Sequence, residues 1–506
     1  RASSSSGLTS TGRSLASLGI SRKRVWAEAR QVWFPFIWFG PIYPLAPIMP
    51  RVGAAPATRA FLLAALVGSC PGEPGVGRGT CPSSSEGDAA GLAQLRMTLG
   101  HQKARAEPVN APRGTGGGAG TRDAQGLAPV LPCPSPDIAA HNPMPDFHID
   151  LDAAPRSRWD AVATELKDAY ASVKHILDGT LEGMAKVALA EGVDVMGLLN
   201  DSVGRAENLV GTEYYEEMQG LAAALGEPFE NIWAFTLIYS ISGGCTSVVG
   251  NDMEGGTVVH GRLLDYGMAV QPIQLHAVFT KGGSTVFECV TYVGFMGCLT
   301  GMVPGGYSIS LNQKDTTRNP NDAAAAATNY FRALVGSVEP SIFIRNLLME
   351  EVSWGQPMLA KVASTPLTRA CYLTVAGVGK DEGVVFCRTA GGVDESRWMD
   401  TSLASQMLPG LDLNVNPDFN GKPFVFITND NGDYRRGHGE GDDRGACAWN
   451  KLNEYYSFNR SAMWDVILNP CQQQSTTILA TVMNPKDGSS DPLSMCPDPQ
   501  LSASLR

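Results

Sequence analysis

The chain has little that a nucleic-acid or metal protein needs. It carries 39 Lys and Arg against 50 Asp and Glu, a formal net charge of −11. That balance disfavours nucleic-acid binding, which draws on basic stripes. Its seven His are scattered and no C-x-x-C spacing occurs among its 11 Cys, so no metal site and no cofactor motif is expected. Long uninterrupted apolar runs are also missing. One apolar stretch, 32–44, is short and holds three prolines, Pro35, Pro41 and Pro44, which does not suit a membrane-spanning helix.

What is present divides unevenly. Length alone, at 506 residues, allows two to four domains, and 43% hydrophobic residues supply a sizeable core. Segments 3–7, 72–92 and 106–122 are rich in Ser, Gly, Pro and Arg without a sustained period, and read as disordered. Met49 opens a different pattern. Arg51 and Arg59 precede the apolar run 60–67, and small residues follow. This reads as a secretory signal. The resulting division is an upstream segment 1–48, a signal peptide 49–69, a low-complexity linker 70–140, a helical part 141–244 and a catalytic part 245–506.

The helical part shows Trp159, Val162, Leu166, Tyr170, Val173 and Leu177 three or four apart, one apolar stripe. Met218, Leu221 and Leu225 begin a later stripe. The apolar run 232–241 reads as core. Beyond residue 245 the texture turns to short β-branched and aromatic runs bounded by Gly, Asn or Asp. The predicted strands are 257–261, 275–280, 285–290, 307–311, 372–375, 383–387 and 424–428, with helices near 322–336, 339–350 and 355–364. This order suits a layered α+β fold.

The chemistry concentrates at Cys245. It sits in Ser-Gly-Gly-Cys-Thr-Ser (242–247), followed by His-Gly-Arg-Leu-Leu-Asp-Tyr-Gly (260–267). Scission before Cys245 would put a free α-amine on the residue that carries the thiol. A thiol titrates near pH 8.5 and an α-amine near pH 8, so nucleophile and base would share one residue. Arg262 is a permanent cation that can serve the sulfur or grip a substrate oxygen. Asp265 can orient the new amine. Taken alone, the pattern also fits a buried Cys beside a surface Arg–Asp pair.

Further segments carry a resemblance. Cys245-Thr-Ser-Val-Val and His260-Gly-Arg-Leu-Leu-Asp-Tyr resemble the acid ceramidase and N-acylethanolamine acid amidase family, in the choloylglycine-hydrolase-like branch of the N-terminal-nucleophile hydrolases. So do 294–312, 381–388, Ile427-Thr-Asn429-Asp, Asp442-Asp-Arg444 and 149–159. The resemblance spans roughly 145–500 and implies an αββα sandwich, preceded by a helical α-subunit, with Cys245 opening an inner strand of the β-subunit. It implies Cys245 as nucleophile, Arg262 and Asp265 as its partners, Asn429 as an oxyanion donor and Arg444 as an orienting group. The spacing from Cys245 to Arg262 is one residue longer than the family's, and the Gly- and Asp-rich loop before Arg444 is longer too.

The implied activity is hydrolysis of ceramide to a sphingoid base and a fatty acid through a Cys thioester. Ser310-Leu-Asn312 leans to the ceramidase side. The alternatives are N-acylethanolamine hydrolysis, bile-salt-like or penicillin-like amides, and a non-catalytic secreted lipid-binding relative. The implied setting is a lysosome or the outside of the cell, with an activator protein or a membrane surface presenting the lipid to an α/β heterodimer cut from one precursor. The family's inter-subunit disulfide makes Cys133–Cys447 the implied pair, and Cys471–Cys496 is a second candidate. Asn200 and Asn459 open glycosylation sequons.

Overall fold

The computed structural model describes residues 144–190, 194–238, 244–266, 270–314, 337–430, 434, 444–474 and 476–495. Contacts divide the chain into Arg1–Gly120 and Thr121–Arg506, and every described residue belongs to the second unit. The upstream segment, signal peptide and linker expectations lie outside the described residues, as do Cys133, the helix expected at 322–336, and Gly243.

The first strand, β1 (Asp146–Asp150), alternates exposed and buried residues. Phe147 and Ile149 face the core, the pattern of a strand with one covered face. The helix α1 (Asp160–Ala190) follows. Its expected stripe is the buried face: Val162, Tyr170, Val173 and Leu177 are all under a tenth exposed, and Leu166 packs against them. Four shorter helices follow, α2 (Val195–Val203), α3 (Ala206–Val210), α4 (Thr212–Leu225) and α5 (Phe229–Ile238). In α5, Ile232, Trp233, Ala234 and Phe235 are all buried, as expected of a core helix.

The remaining elements build two sheets flanked by helices. The strands are β2 (Gly244–Asp252), β3 (Thr257–Asp265), β4 (Gln274–Lys281), β5 (Ser284–Tyr292), β6 (Phe295–Val303) and β7 (Tyr307–Gln313), then β8 (Cys371–Ala376), β9 (Gly383–Arg388), β10 (Val393–Trp398), β11 (Phe424–Ile427), β12 (Thr477–Asn484) and β13 (Ser489–Ser494). The helices among them are α6 (Pro340–Glu350), α7 (Gln356–Ser364), α8 (Ser402–Met407), α9 (Arg444–Leu452) and α10 (Arg460–Ile467).

The larger sheet runs β1-β4-β5-β6-β7-β8-β9-β10 and the smaller runs β11-β2-β3-β12-β13. The β1–β4 pair is parallel. The other neighbouring strands pair antiparallel, as β2 does with β3 and β11. Strand β2, with Cys245 as its second residue, is therefore an inner strand, as expected.

One core lies between the larger sheet and helices α1 to α7. A second joins Val248, Val249 and Leu263 of the smaller sheet to Val385 and Cys387 of the larger, with Met463 and Ile467 of α10. Glycines set the close helix–sheet approaches. A Cβ at Gly261 would meet Met463 Sδ at 2.6 Å, and one at Gly301 would meet Leu348 of α6 at 2.5 Å. Both helices need a missing side chain beneath them. The layers are thus α, β, β, α.

The disulfides correct the expected pairings. Cys447 of α9 pairs with Cys471, not with Cys133, and Cys471 is therefore not available to Cys496. The two Cα atoms lie 6.3 Å apart because the chain after α10 returns alongside α9. A second disulfide, Cys289–Cys298, joins neighbouring strands β5 and β6. Spacing along the chain shows neither proximity.

Candidate functional site

The two faces of β2 organise the site. Successive side chains point to opposite faces of a strand. In the β2–β3 register Gly244 opposes Asp265, Cys245 opposes Leu264 and Ser247 opposes Arg262. Cys245, Ser247 and Arg262 thereby share the face toward the larger sheet. Gly244, Thr246 and Asp265 face the other way, toward α9. On the far side of β2, Ile427 of β11 opposes Ser247. Continuing that register by two residues carries Asn429 opposite Cys245.

On the inner face the Arg262 guanidinium meets the sulfur. Its Nη2 donates to Cys245 Sγ at 3.0 Å and to the Leu311 carbonyl at 2.5 Å. Its Nη1 donates to Asn312 Oδ1 at 2.6 Å and to Ser247 Oγ at 3.1 Å. Arg262 is 0% exposed and Asp265 2%, which overturns the reading of a surface pair beside a core cysteine. A buried guanidinium needs several well-placed acceptors, and β7 supplies two of them.

On the outer face Asp265 is held at both oxygens. Its Oδ2 accepts from Arg444 Nη1 at 2.5 Å and its Oδ1 from Thr477 Oγ1 at 2.5 Å. Gly244 allows the carboxylate to lie close to the bond before Cys245, since a Cβ there would sit 3.1 Å from both Asp265 Cβ and Oδ2.

Asn429 joins the faces. Its Oδ1 accepts from the Cys245 backbone N–H at 2.7 Å and from Arg444 Nη2 at 2.9 Å. Its Nδ2 donates to the Gln313 carbonyl at 2.6 Å. A carboxamide nitrogen carries two hydrogens, so one donor remains by count for an oxyanion. All five expected residues, Cys245, Arg262, Asp265, Asn429 and Arg444, are brought together. The extra loop length before Arg444 does not displace it.

His260 packs behind Arg262. Its Nδ1 lies 2.9 Å from Ser308 Oγ and its Nε2 3.0 Å from Ser310 Oγ. Burial, then the nearby Arg262 charge, lowers its pKa to about 3, so the ring is neutral and serves as a hydrogen-bonding spacer.

Several residues at the site escaped the sequence reading. Asn312 is the most connected. Besides Arg262 it accepts from Ser247 Oγ at 2.6 Å and donates to the Ile427 and Thr428 carbonyls at 3.2 and 3.0 Å. It therefore ties the arginine at the sulfur to the strand end that carries Asn429. The sequence reading used it only within Ser310-Leu-Asn312, as a mark of substrate preference, and gave it no place at the site. Gln472 and Thr477 had no signal at all. Among the described residues no group of His, Cys, Asp or Glu is placed to hold a metal ion, and no helix is long and apolar enough to cross a membrane.

Comparison with known proteins bears on this geometry. A family model described as the beta subunit of N-acylethanolamine-hydrolyzing acid amidase matches residues 142–199. That stretch lies N-terminal to Cys245, on the part labelled α-subunit above. The chain is 27% identical over 352 residues to the N-acylethanolamine-hydrolyzing acid amidase of Caenorhabditis elegans, covering 67% of this chain and 88% of that protein. It is 25% identical over 372 residues to a probable acid ceramidase of the same organism, covering 70% and 86%. Over 273 residues it is 30% identical to the N-acylethanolamine-hydrolyzing acid amidase of Cavia porcellus, covering 52% of this chain and 69% of that relative. With that extent of identity the chain belongs to the acid ceramidase and N-acylethanolamine acid amidase family, and it is an amide hydrolase.

Proposed function

We propose that the chain is cut before Cys245 and then hydrolyses fatty acyl amides through a thioester on that residue. The observation that carries this reading is the pair of contacts on Cys245: Arg262 Nη2 on its sulfur at 3.0 Å and Asn429 Oδ1 on its backbone nitrogen at 2.7 Å. Scission turns that nitrogen into an amine already in place beside its own thiol. The sulfur attacks the amide carbonyl and the α-amine takes the thiol proton. Asn429 Nδ2 donates to the oxyanion, a contribution typically worth about 10²–10³ in turnover. The amine returns the proton to the leaving amine, and water then releases the fatty acid. Asp265, fixed by Arg444 and Thr477, orients the α-amine. Burial of Cys245 in the uncut chain supports a zymogen that opens on cleavage.

Ceramide and N-acylethanolamines are the two candidate substrates. The ethanolamine reading is favoured by the matching family model and by two of the three relatives above. The ceramide reading is favoured by Ser310-Leu-Asn312 and by the probable acid ceramidase. The associated setting is an acidic lysosomal or secreted one, with lipid offered by a membrane surface or an activator protein. A non-catalytic lipid-binding role is disfavoured by the complete five-residue set.

Processed protein should be assayed on a medium-chain ceramide and on N-palmitoylethanolamine in one detergent at acidic pH. Each buried methylene is worth about 0.8 kcal/mol, so two change affinity about tenfold. A site built for two chains should lose efficiency when one becomes ethanolamine. A site built for one chain should gain little from the second. Turnover of neither lipid by a chain demonstrably cut before Cys245 would refute this substrate class.

A further inference from the structure

The connection between α10 and β12, together with Thr477 at the start of β12, supplies no reacting group, yet it touches both halves of the Asp265–Arg444 pair. Gln472 is fully buried. Its Nε2 donates to the Arg444 backbone carbonyl at 2.8 Å, and its Oε1 accepts from Thr246 Oγ1, beside Cys245, at 3.4 Å. Five residues on, Thr477 is 3% exposed and donates to Asp265 Oδ1. The direction of that bond is fixed locally. The Thr477 oxygen already accepts from the Gln474 backbone N–H at 2.8 Å, and a hydroxyl has one hydrogen to give. Tyr266, next to Asp265, donates its backbone N–H to the Thr476 carbonyl at 2.8 Å. The Cys447–Cys471 disulfide then ties the residue before Gln472 to α9, whose first residue is Arg444.

From this arrangement we infer that residues 471–474 and 476–477 brace the Asp265–Arg444 pair, with Gln472 and Thr477 as the positioning residues. The inference rests on the roles given to Asp265 and Arg444 under the proposed function. Its physical need is clear. Arg444 opens a helix, where the macrodipole disfavours a cation. A long side chain there also loses much rotamer freedom when held in one geometry. Anchoring its backbone from below and its carboxylate partner from the side removes that freedom in advance, so the pair meets the α-amine without reorganising.

The test uses the full chain after processing. Thr477→Val keeps shape and branching but loses the hydroxyl. Thr477→Ser keeps the hydroxyl. Gln472→Met keeps length without hydrogen bonds. We expect kcat to fall about tenfold or more in Thr477→Val and Gln472→Met with KM nearly unchanged, since small misplacements of reacting groups are costly. Thr477→Ser should recover most of the loss. Hydrogen exchange over 444–452, which needs no activity, should rise in Gln472→Met. Unchanged kcat in both variants overturns the brace, as does a loss that Thr477→Ser fails to rescue. Unchanged exchange in Gln472→Met overturns it even if the wild-type chain hydrolyses neither lipid, an outcome that would separately refute the activity reading.

Discussion

At the scale of single residues, the site depends on geometry more than on residue type. Cys245→Ala should leave the chain uncut if the proposed scission is the chain's own, because the N-to-S acyl shift that self-cleavage would use needs the sulfur. N-terminal sequencing after incubation at acidic pH checks this, and scission of the Ala variant would point to an outside protease. Arg262 makes four contacts from two nitrogens, reaching Sγ, Leu311, Asn312 and Ser247 together. A lysine offers one compact ammonium and no planar fork. Arg262→Lys should therefore lower turnover by about 10² or more, read by steady-state kinetics on processed protein. Near-normal turnover would mean the arginine only fills space. Cys245, Arg262 and Asp265 were legible because two glycines and a short motif frame them in sequence. Asn312, Gln472 and Thr477 were not, because each acts through partners far along the chain.

At the scale of elements, strand pairing sets the pH response of the first strand. His276 of β4 stands opposite Asp146 of β1. Its Nδ1 lies 2.8 Å from Asp146 Oδ1 and its Nε2 3.4 Å from Glu288 Oε2 of β5. Burial pushes the His276 pKa down, but the nearby carboxylates of Glu288 and Asp146 outweigh it and the net shift is upward. A raised folded-state pKa stabilises fully below the unfolded value of about 6.5 and is lost as pH rises through the folded value. His276→Gln should therefore lower the unfolding midpoint at pH 5 more than at pH 8, as measured by thermal melts at both. Equal losses would rule out the charge pairing. His260 works in the opposite sense. Its lowered value makes the unfolded chain bind the proton first, so it costs stability as pH falls from about 6.5 toward 3. The helix periods and most strands were readable from the apolar pattern. β6, β10, β12 and β13 were not named as strands, since β6 is buried on both faces and β13 is a mixed edge without alternation.

At the scale of the whole catalytic unit, the parts before and after residue 245 are locked by charge as well as by β1. Glu217 of α4 is fully buried and accepts from Arg158 Nη1 at 2.8 Å, Trp159 Nε1 at 2.8 Å and Arg345 Nη2 of α6 at 2.7 Å. The Arg345 guanidinium also lies 4.4 Å from the Tyr214 ring centre. Removing one partner of a buried ion pair typically costs about 3–5 kcal/mol. Glu217→Leu should lower the unfolding midpoint markedly and loosen the association of the two pieces after cleavage, read by size-exclusion chromatography of processed protein. Intact association with an unchanged midpoint would show that apolar packing alone holds them. By itself the sequence determined the layered α+β class and the helices before Cys245, because those features live in local period, and it named five candidate site residues from short motifs and a family resemblance. Tertiary structure alone decided the Cys447–Cys471 and Cys289–Cys298 pairings, the bridge through Asn312, the Glu217–Arg345 lock and the hold of Gln472 and Thr477 on the Asp265–Arg444 pair. Each of these joins residues from separate elements, and the distance between them is set only when the two sheets stack and the helices close over them.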